Sequence, residues 1–202
     1  MSLAARILIL TTSGALLLSG CSTNATTGEA DTTTTAADGG PTATATLQNK
    51  EGLEVGTVRV SEVAAGTELR VEIKGLESGF YGFHVHGTGL CEPNSAAPGN
   101  PGVTGAFLSA GGHLGSEESQ HPEHAGDLPS VYVTEDGQGT LMTVTDRFTV
   151  DDLAGGDGTA LMLHSGPDNF ANIPERYAAA GPDQDTLRTG DAGPRLACGV
   201  VE

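Results

Sequence analysis

The chain has 202 residues, of which 37% are apolar and 17% are charged, with 30 glycines, 10 prolines and no tryptophan. This length and composition predict one ordinary domain of the all-β class, built from short strands and long loops. The formal net charge of −17, with nine lysines and arginines, argues against a nucleic acid partner and against adsorption to anionic lipid. A small anionic substrate would need a local cluster of cations.

The N-terminal segment MSLAARILILTTSGALLLSGC places one arginine before an apolar run from Ile7 to Leu18, followed by small residues. This order predicts a secretory signal peptide over residues 1–20, because the run is too short and too interrupted by Thr and Ser for a spanning helix. Its last four residues, LSGC, resemble a bacterial lipobox, which implies that Cys21 is acylated after cleavage. A plain signal peptide with an incidental cysteine and a membrane anchor are the alternatives.

Residues 21–44 are rich in threonine, alanine, glycine and aspartate and show no apolar periodicity. Such a segment cannot bury enough apolar surface to fold, which predicts a flexible tether. The folded domain is then expected over residues 45–202. With lipidation at Cys21, the tether places this domain outside the cell, on the outer face of the cytoplasmic membrane. The lipid is then the chain's only expected contact with the membrane.

Strand-like segments separated by turn signals make up the rest of the chain. VGTVRVSEV (55–63) and TELRVEIKGL (67–76) carry apolar residues at every second position around AAG, which predicts a hairpin. SVYVTEDGQGTLMTV (130–144) predicts a second hairpin with its turn at Asp-Gly-Gln-Gly. TALMLH and RLACGVV are further strand candidates, and no convincing helical stripe is present.

These elements predict an immunoglobulin-like Greek-key β-sandwich or flattened barrel of about eight antiparallel strands. Two long segments, about 87–129 and 165–194, are expected to be loops. Loops of that length in a compact domain are usually functional or disordered. The residues that carry chemistry lie in or beside them.

Three cysteines are present, and one of them, Cys21, is assigned to the lipid. Cys91 and Cys198 are then the one remaining pair, and two leftover cysteines in an exported protein most simply form a disulfide. Two free thiols are the alternative.

His84 and His86 stand two residues apart in GFHVHG, a strand candidate whose other face carries Phe83 and Val85. Alternation along a strand points both imidazoles away from the core, at a separation that one metal ion can bridge. Taken alone, the H-x-H pattern is weak, because two exposed polar residues on a strand would look the same.

The other four histidines lie in or beside the long loops, and an aspartate continues their spacing. His121, His124 and Asp127 form an H-x2-H-x2-D pattern, and with His113 they make a His₃Asp set that suits Zn²⁺. His164 closes the TALMLH strand candidate. A solvated acidic loop is the alternative explanation of residues 116–124.

Four segments in fixed order carry a resemblance to a known family: GFHVHGTGLCE, GGHLGSEESQHPEHAGDLPSV, LMLHSGPDNF and TLRTGDAGPRLACGVV. Together they span about residues 82–201 and resemble the bacterial copper/zinc superoxide dismutases. The resemblance implies an enzyme that disproportionates superoxide to dioxygen and hydrogen peroxide, with copper and zinc as cofactors, and so protects the cell envelope from oxidative attack.

The resemblance also implies a role for each matching residue. His84, His86, His113 and His164 would bind copper. His113 would bridge to zinc, whose other ligands would be His121, His124 and Asp127. The remaining matches are Asp168 linking ligands of both metals, catalytic Arg195 beside the copper, Thr189 and Arg188 lining the channel, and a Cys91–Cys198 disulfide. In the family's mechanism, His113 is also catalytic, because it takes up and returns a proton.

One departure from the family pattern concerns zinc. Family members usually place a much longer segment than Pro122-Glu123 between the second and third zinc histidines, and proline limits the backbone there. A membrane-anchored bacterial branch with similar flanking sequence works with copper only. All four zinc ligand types are nevertheless present, so we expect about one zinc and one copper per chain.

Two rival functions use the same residues. The first is a copper-buffering envelope lipoprotein without turnover, and the second is an adhesive β-sandwich with incidental histidines. The complete ligand set together with Arg195 favours the enzyme. A homodimer is left open, because no strand shows an evident apolar outer face.

Overall fold

The computed structural model describes residues 42–202. The predicted signal peptide, Cys21 and the tether up to residue 41 lie outside this range. The strands are β1 (Thr42–Asn49), β2 (Glu54–Val63), β3 (Gly66–Lys74), β4 (Gly79–His86), β5 (Ser95–Ala97), β6 (Asn100–Gly105), β7 (Asp127–Val133), β8 (Gln138–Thr145), β9 (Ala160–His164) and β10 (Arg195–Val200). Two short helices, α1 (Val150–Ala154) and α2 (Thr186–Thr189), lie in connections. Within residues 42–202, no helix is long and apolar enough to cross a membrane.

Eight of the strands form a closed antiparallel barrel in the order β1-β10-β9-β4-β7-β8-β3-β2. The predicted all-β Greek-key architecture is therefore confirmed. The connections from β3 to β4 and from β8 to β9 each join strands that are not neighbours, which is the Greek-key feature. Closure leaves the barrel without unpaired strand edges.

The first strand begins at Thr42, three residues before the predicted start of the domain at residue 45. The predicted tether boundary is corrected accordingly. Ala43, Ala45 and Leu47 are buried, while the threonines between them are exposed. Alanine carries too little apolar surface for this alternation to stand out in a Thr/Ala-rich segment, whereas β-branched threonine suits the outer face of a strand.

Both predicted hairpins are present. In the β2–β3 pair, Val58 lies opposite Val71 and Val60 opposite Leu69, and all four side chains are buried in the core. β7 and β8 form the second hairpin, with Val133 opposite Gly139. Alternating apolar residues therefore set the register as expected, because a shift by one residue would turn the core side chains toward solvent.

Strand β4 is buried on both of its faces from Tyr81 to His86. Phe83 and Val85 pack inside the barrel, while His84 and His86 point outward. The outward histidines are nevertheless no more than 1% exposed, because the two long loops cover that wall of the barrel. The predicted metal-binding residues of this strand consequently lie between the barrel wall and the loops.

The loop between β4 and β7 is more structured than predicted. It contains the two-stranded sheet of β5 and β6 and a 3-10 turn at Leu108–Ala110. The predicted disulfide is confirmed, joining Cys91 of this loop to Cys198 of β10 across 107 residues. Around it, Phe107 and Met162 belong to a second small apolar cluster that anchors the loop to the barrel.

Large apolar side chains are exposed on the outer faces of β4, β7 and β8, contrary to the sequence-based expectation. Phe80 and Tyr132 pack against each other with ring centroids 4.9 Å apart, and Met142 and Val144 are also exposed. The sequence pattern gave no sign of this because the residues are spread over three strands. The homodimer stays a prediction, which sedimentation of the mature chain tests.

Candidate metal centre

All six histidines gather at one wall of the barrel, each at most 5% exposed. His84 and His86 come from β4, and His164 ends the neighbouring strand β9. His113 pairs with His86 through an isolated β-bridge. His121 and His124 follow in the same loop. The barrel strands therefore supply half of the histidines and the long loop supplies the other half.

His84, His86, His113 and His164 form the first set, in which one ligand atom of each lies within 4.8 Å of the others. Three of the nitrogens that remain for a metal, His84 Nδ1, His86 Nε2 and His164 Nε2, are buried and have no hydrogen-bond partner. Buried polar atoms are normally satisfied. Several unpaired imidazole nitrogens at one point fit a metal such as copper.

The opposite nitrogen of each of these three rings is held in place. His86 Nδ1 donates to the Gly111 carbonyl at 2.9 Å, and His164 Nδ1 to the Gly193 carbonyl at 3.0 Å. His84 Nε2 lies 2.7 Å from Asp168 Oδ2. These contacts set the ring tautomers, so that the unpaired nitrogens are the ones without a proton.

The second set is built around Asp127. The Nδ1 atoms of His113, His121 and His124 lie 2.7, 3.0 and 3.1 Å from its carboxylate oxygens. The His121 contact lacks hydrogen-bond geometry, which leaves His121 Nδ1 as a buried nitrogen without a hydrogen-bond partner. Three imidazoles and one carboxylate are a ligand set that suits zinc.

His84 also lies within 4.8 Å of this second set. Its Nε2 is already held by Asp168, however, and its Nδ1 belongs to the first set. His124 Nδ1 is 3.1 Å from Asp127, so His124 is the better fourth member.

His113 belongs to both sets. Its Nδ1 faces Asp127 at 2.7 Å, which leaves Nε2 for the first set, and its ring centroid is 4.1 Å from that of His84. One imidazole with its two nitrogens directed at two ligand sets is the arrangement of a bridging ligand.

The short Pro122-Glu123 segment does not keep the two flanking histidines apart. His121 Nδ1 and His124 Nδ1 lie 3.0 and 3.1 Å from the same atom, Asp127 Oδ2. Both ligand atoms therefore reach the surroundings of a single ion.

Asp168 connects the two sets through its two oxygens. Oδ2 lies 2.7 Å from His84 Nε2, and Oδ1 lies 2.9 Å from His121 Nε2. The Phe170 amide also donates to Oδ1 at 2.7 Å. The linking carboxylate predicted from the sequence therefore has the expected partners.

A cavity of about 830 Å³ opens over His86, His113 and His164, and Arg195 forms part of its wall. The Arg195 guanidinium donates to the carbonyls of Phe107 and Gly111, the latter being the carbonyl that accepts from His86. The cation is thus fixed beside the first set.

The family model described as copper/zinc superoxide dismutase (SODC) matches residues 54–201. The chain belongs to the copper/zinc superoxide dismutase family. The Cu-Zn superoxide dismutase of Mycolicibacterium paratuberculosis is 46% identical over 169 residues, which are 80% of this chain and 74% of that protein. The Cu-Zn enzyme of Escherichia coli K12 is 33% identical over 158 residues, 75% of this chain and 80% of that protein. The solved Cu/Zn superoxide dismutase from Brucella abortus has a TM-score of 0.61 at 30% identity, and the match covers 80% of this chain and all of that one.

Three buried histidines of this superoxide dismutase, His86, His113 and His164, are neutral at physiological pH. The neutral form is the one that offers a nitrogen to a metal ion. Burial lowers the pKa of His113 to about 4 and that of His164 to about 3. Burial also lowers the pKa of His86 well below its usual range. A neutral imidazole has one nitrogen free for a metal ion, so His86 and His164 need not lose a proton, whereas His113 has to give up its remaining proton to bind metal through both nitrogens.

His121 differs from the other histidines. Burial acts to lower its pKa, but the nearby carboxylates of Asp127 and Asp168 outweigh burial and raise the pKa to about 9. Against the effect of burial, His113 and His121 hold the pKa of Asp127 below its usual range, and His121 and His84 do the same for Asp168. His121 is therefore an imidazolium between two carboxylates at neutral pH, and a metal ion bound there would replace its proton.

Arg188 and Thr189 line the cavity, as the family resemblance implies. Arg188 is exposed, however, and pairs with Asp185, while the Thr189 hydroxyl donates to the Asp185 carbonyl at 2.7 Å. Burial lowers the pKa of Arg195 to about 10, which leaves it charged at neutral pH. Arg195 is therefore the principal cation of the cavity, and the charge of Arg188 is largely offset.

Sequence reasoning missed several residues that shape the centre. The carbonyls of Gly111 and Gly193 orient two histidines, and a backbone acceptor leaves no side-chain signal. Gly190 has a φ of 59°, and a β-carbon there would overlap Asp168 and His121. The glycine in TLRTGD was the one available signal, because glycine permits both positive φ and close approach.

Proposed function

We propose that this enzyme disproportionates superoxide with copper in the first set and zinc in the second. Two superoxide anions and two protons give one dioxygen and one hydrogen peroxide. The observation that carries the assignment is that His113 belongs to both sets, with Nδ1 against Asp127 at 2.7 Å and its ring centroid 4.1 Å from that of His84. The copper ligands would be His84, His86, His113 and His164, and the zinc ligands His113, His121, His124 and Asp127.

Copper, when bound, supplies the one-electron exchange with superoxide, and zinc, which has no redox chemistry, supplies a fixed positive charge. The protein supplies the positions of the proton and of the anion. His113 keeps Nδ1 toward Asp127, so Nε2 is the ring nitrogen that would carry the proton for the reduced oxygen species whenever it is not bound to copper. His113 is 5% exposed and forms part of the cavity wall, so this proton would lie beside the space that the anion enters.

Arg195 binds the anion in this proposal. The Phe107 and Gly111 carbonyls hold its guanidinium against the cavity wall, and part of it faces the cavity. On a chain with a formal charge of −17, a fixed local cation is needed to attract an anion. Asp168 orients His84 and His121 together, which ties the geometry of the two metal sets to each other.

Metal content and activity of the mature domain test the assignment. We expect about one copper and one zinc per chain after reconstitution, superoxide turnover with copper, and none without it. Copper alone at full occupancy would contradict the zinc assignment. Stoichiometric copper without turnover would favour the copper-buffering alternative.

We also propose that Cys21 is acylated and that the domain is anchored on the outer face of the cytoplasmic membrane. The LSGC motif at residues 18–21 supports the anchor. The Cys91–Cys198 disulfide is typical of an exported protein. Fractionation of cells that express the full chain should find the protein in the membrane, and Cys21→Ala should release it or leave it unprocessed. Equal fractionation of both proteins, with both at the mass of the cleaved chain, would refute the anchor.

A further inference from the structure

The backbone carbonyls of the segment Pro122–His124 all accept hydrogen bonds. The Ser119 hydroxyl donates to the Glu123 carbonyl at 2.9 Å. Arg147 Nη1 donates to the Pro122 carbonyl at 2.9 Å and to the His124 carbonyl at 3.0 Å. The short segment between two zinc histidines is therefore a closely held turn.

Arg147 approaches this turn from a different part of the fold. It lies between β8 and α1, where its amide donates to Thr145 Oγ1 at 3.2 Å. The next residue, Phe148, is buried in the core, and its carbonyl accepts from Thr67 Oγ1 at 2.8 Å. The backbone that carries the guanidinium is thus fixed to the barrel.

The two carbonyls that Arg147 holds stand on either side of Glu123. One belongs to His124 itself, and the other belongs to the residue directly after His121. Hydrogen bonds from an ionised donor are stronger than neutral ones. A single nitrogen of the barrel-anchored arginine therefore limits how far the two histidines can separate.

We propose that Arg147 is a positioning residue for zinc, which holds the short turn so that His121 Nδ1 and His124 Nδ1 meet at Asp127. The inference rests on the proposed zinc ligands. Arg147 touches none of the ligand nitrogens and acts through the backbone of the turn. Removal of contacts that orient metal ligands typically costs about 10–100-fold in affinity.

The test compares Arg147→Met, which keeps much of the apolar stem, with Arg147→Lys, which keeps the charge and a donor. Arg70→Met is the matched control, because Arg70 is an exposed arginine on β3 whose partner is Glu68 of the same strand. Zinc affinity is measured on copper-free protein by competition with a chromophoric chelator. Copper affinity is measured in a separate titration. Cobalt is then bound at saturation in place of zinc, and its visible spectrum reports the geometry of the ligands.

For Arg147→Met we expect zinc affinity at least about 10-fold weaker, copper affinity within about two-fold of wild type, and an altered cobalt spectrum. Arg147→Lys should recover part of the loss, and Arg70→Met should match wild type. The altered spectrum at saturation separates positioning from general destabilisation.

An Arg147→Met variant with wild-type zinc affinity and cobalt spectrum would overturn the role of Arg147 and leave the zinc site standing. Equal losses in Arg147→Met and Arg70→Met would overturn it as well. A wild-type protein that binds no zinc would overturn the zinc assignment and the role of Arg147 together.

Discussion

Removal of the Cys91–Cys198 disulfide should destabilise the domain and displace Arg195. The double substitution Cys91→Ala and Cys198→Ala removes the bond without leaving a free thiol. The bond fixes the β4–β7 loop to β10, and that loop carries the Phe107 and Gly111 carbonyls that hold Arg195. One covalent link thus supports both the stability of the barrel and the geometry of the cavity.

The magnitude follows from the chain length between the cysteines. In the chain-entropy model, a bond between cysteines 107 residues apart restricts the unfolded chain. This restriction raises the free energy of unfolding by about 5 kcal/mol. Measured values are commonly smaller, so we expect a loss of about 3–5 kcal/mol in the free energy of unfolding. For a domain of this size the melting temperature should fall by roughly 10–15 °C.

The assay is denaturant and thermal unfolding of metal-free protein, because bound metal adds its own stabilisation. Wild type unfolded in a reducing agent is the control and should match the double variant. After copper loading, the variant should also have a lower superoxide rate than wild type at equal copper content, because Arg195 is displaced. If the variant unfolded within about 1 kcal/mol of the oxidised wild type, the chain-entropy reasoning would be refuted for this bond.

Three further predictions concern charges around the centre. Arg195→Gln should lower the superoxide rate by about 10–100-fold and reduce its salt dependence at unchanged copper content, whereas an unchanged rate would exclude anion steering. Asp185→Asn frees Arg188 and should raise the rate by about two-fold at low ionic strength, with the gain lost in about 0.5 M salt; a gain that persists in salt would point to another cause. Metal-free protein should lose stability as the pH falls below about 6.5, because burial keeps the pKa values of His113 and His164 at about 4 and 3 while the unfolded chain takes up these protons, and the lowered pKa of Asp168 adds to the loss below about pH 4. It should also lose stability as the pH rises from about 6.5 through 9, where folded His121 loses its proton. Zinc should abolish the alkaline loss, and a flat melting profile of the metal-free protein would contradict the His121 ion pairs.

The parts of the centre that could be predicted from the sequence depend on side-chain identity and strand periodicity. His84 and His86 had to share a face because residues two apart on a strand point the same way. The core side of the same strand was equally readable, because Phe83 and Val85 alternate with them. The spacing of His121, His124 and Asp127 likewise indicated one site, and the structure brings these three residues together.

The parts that could not be predicted depend on backbone atoms or on contacts distant in sequence. The Gly111 carbonyl accepts from both His86 and Arg195, yet the residue itself offers no side chain to interpret. Arg147 contacts carbonyls 23 and 25 residues away along the chain and stands in an ordinary strand-end segment. The pairing of Arg188 with Asp185 was also hidden, because a charge count cannot show that two opposite charges meet.

Across both metal sets, the protein orients imidazoles through the atoms that the metals do not use. In the first set, carbonyls of Gly111 and Gly193 and the Asp168 carboxylate hold the far nitrogens of three rings. In the second set, Asp168 holds the far nitrogen of His121, and the barrel-anchored Arg147 holds the backbone of His124. Because these contacts come from elements other than the ligand's own, the ligand geometry is largely set before a metal arrives. A segment of only two residues between His121 and His124 is then sufficient, since the ring positions are determined by Asp127, Asp168 and Arg147 and not by the length of the connection.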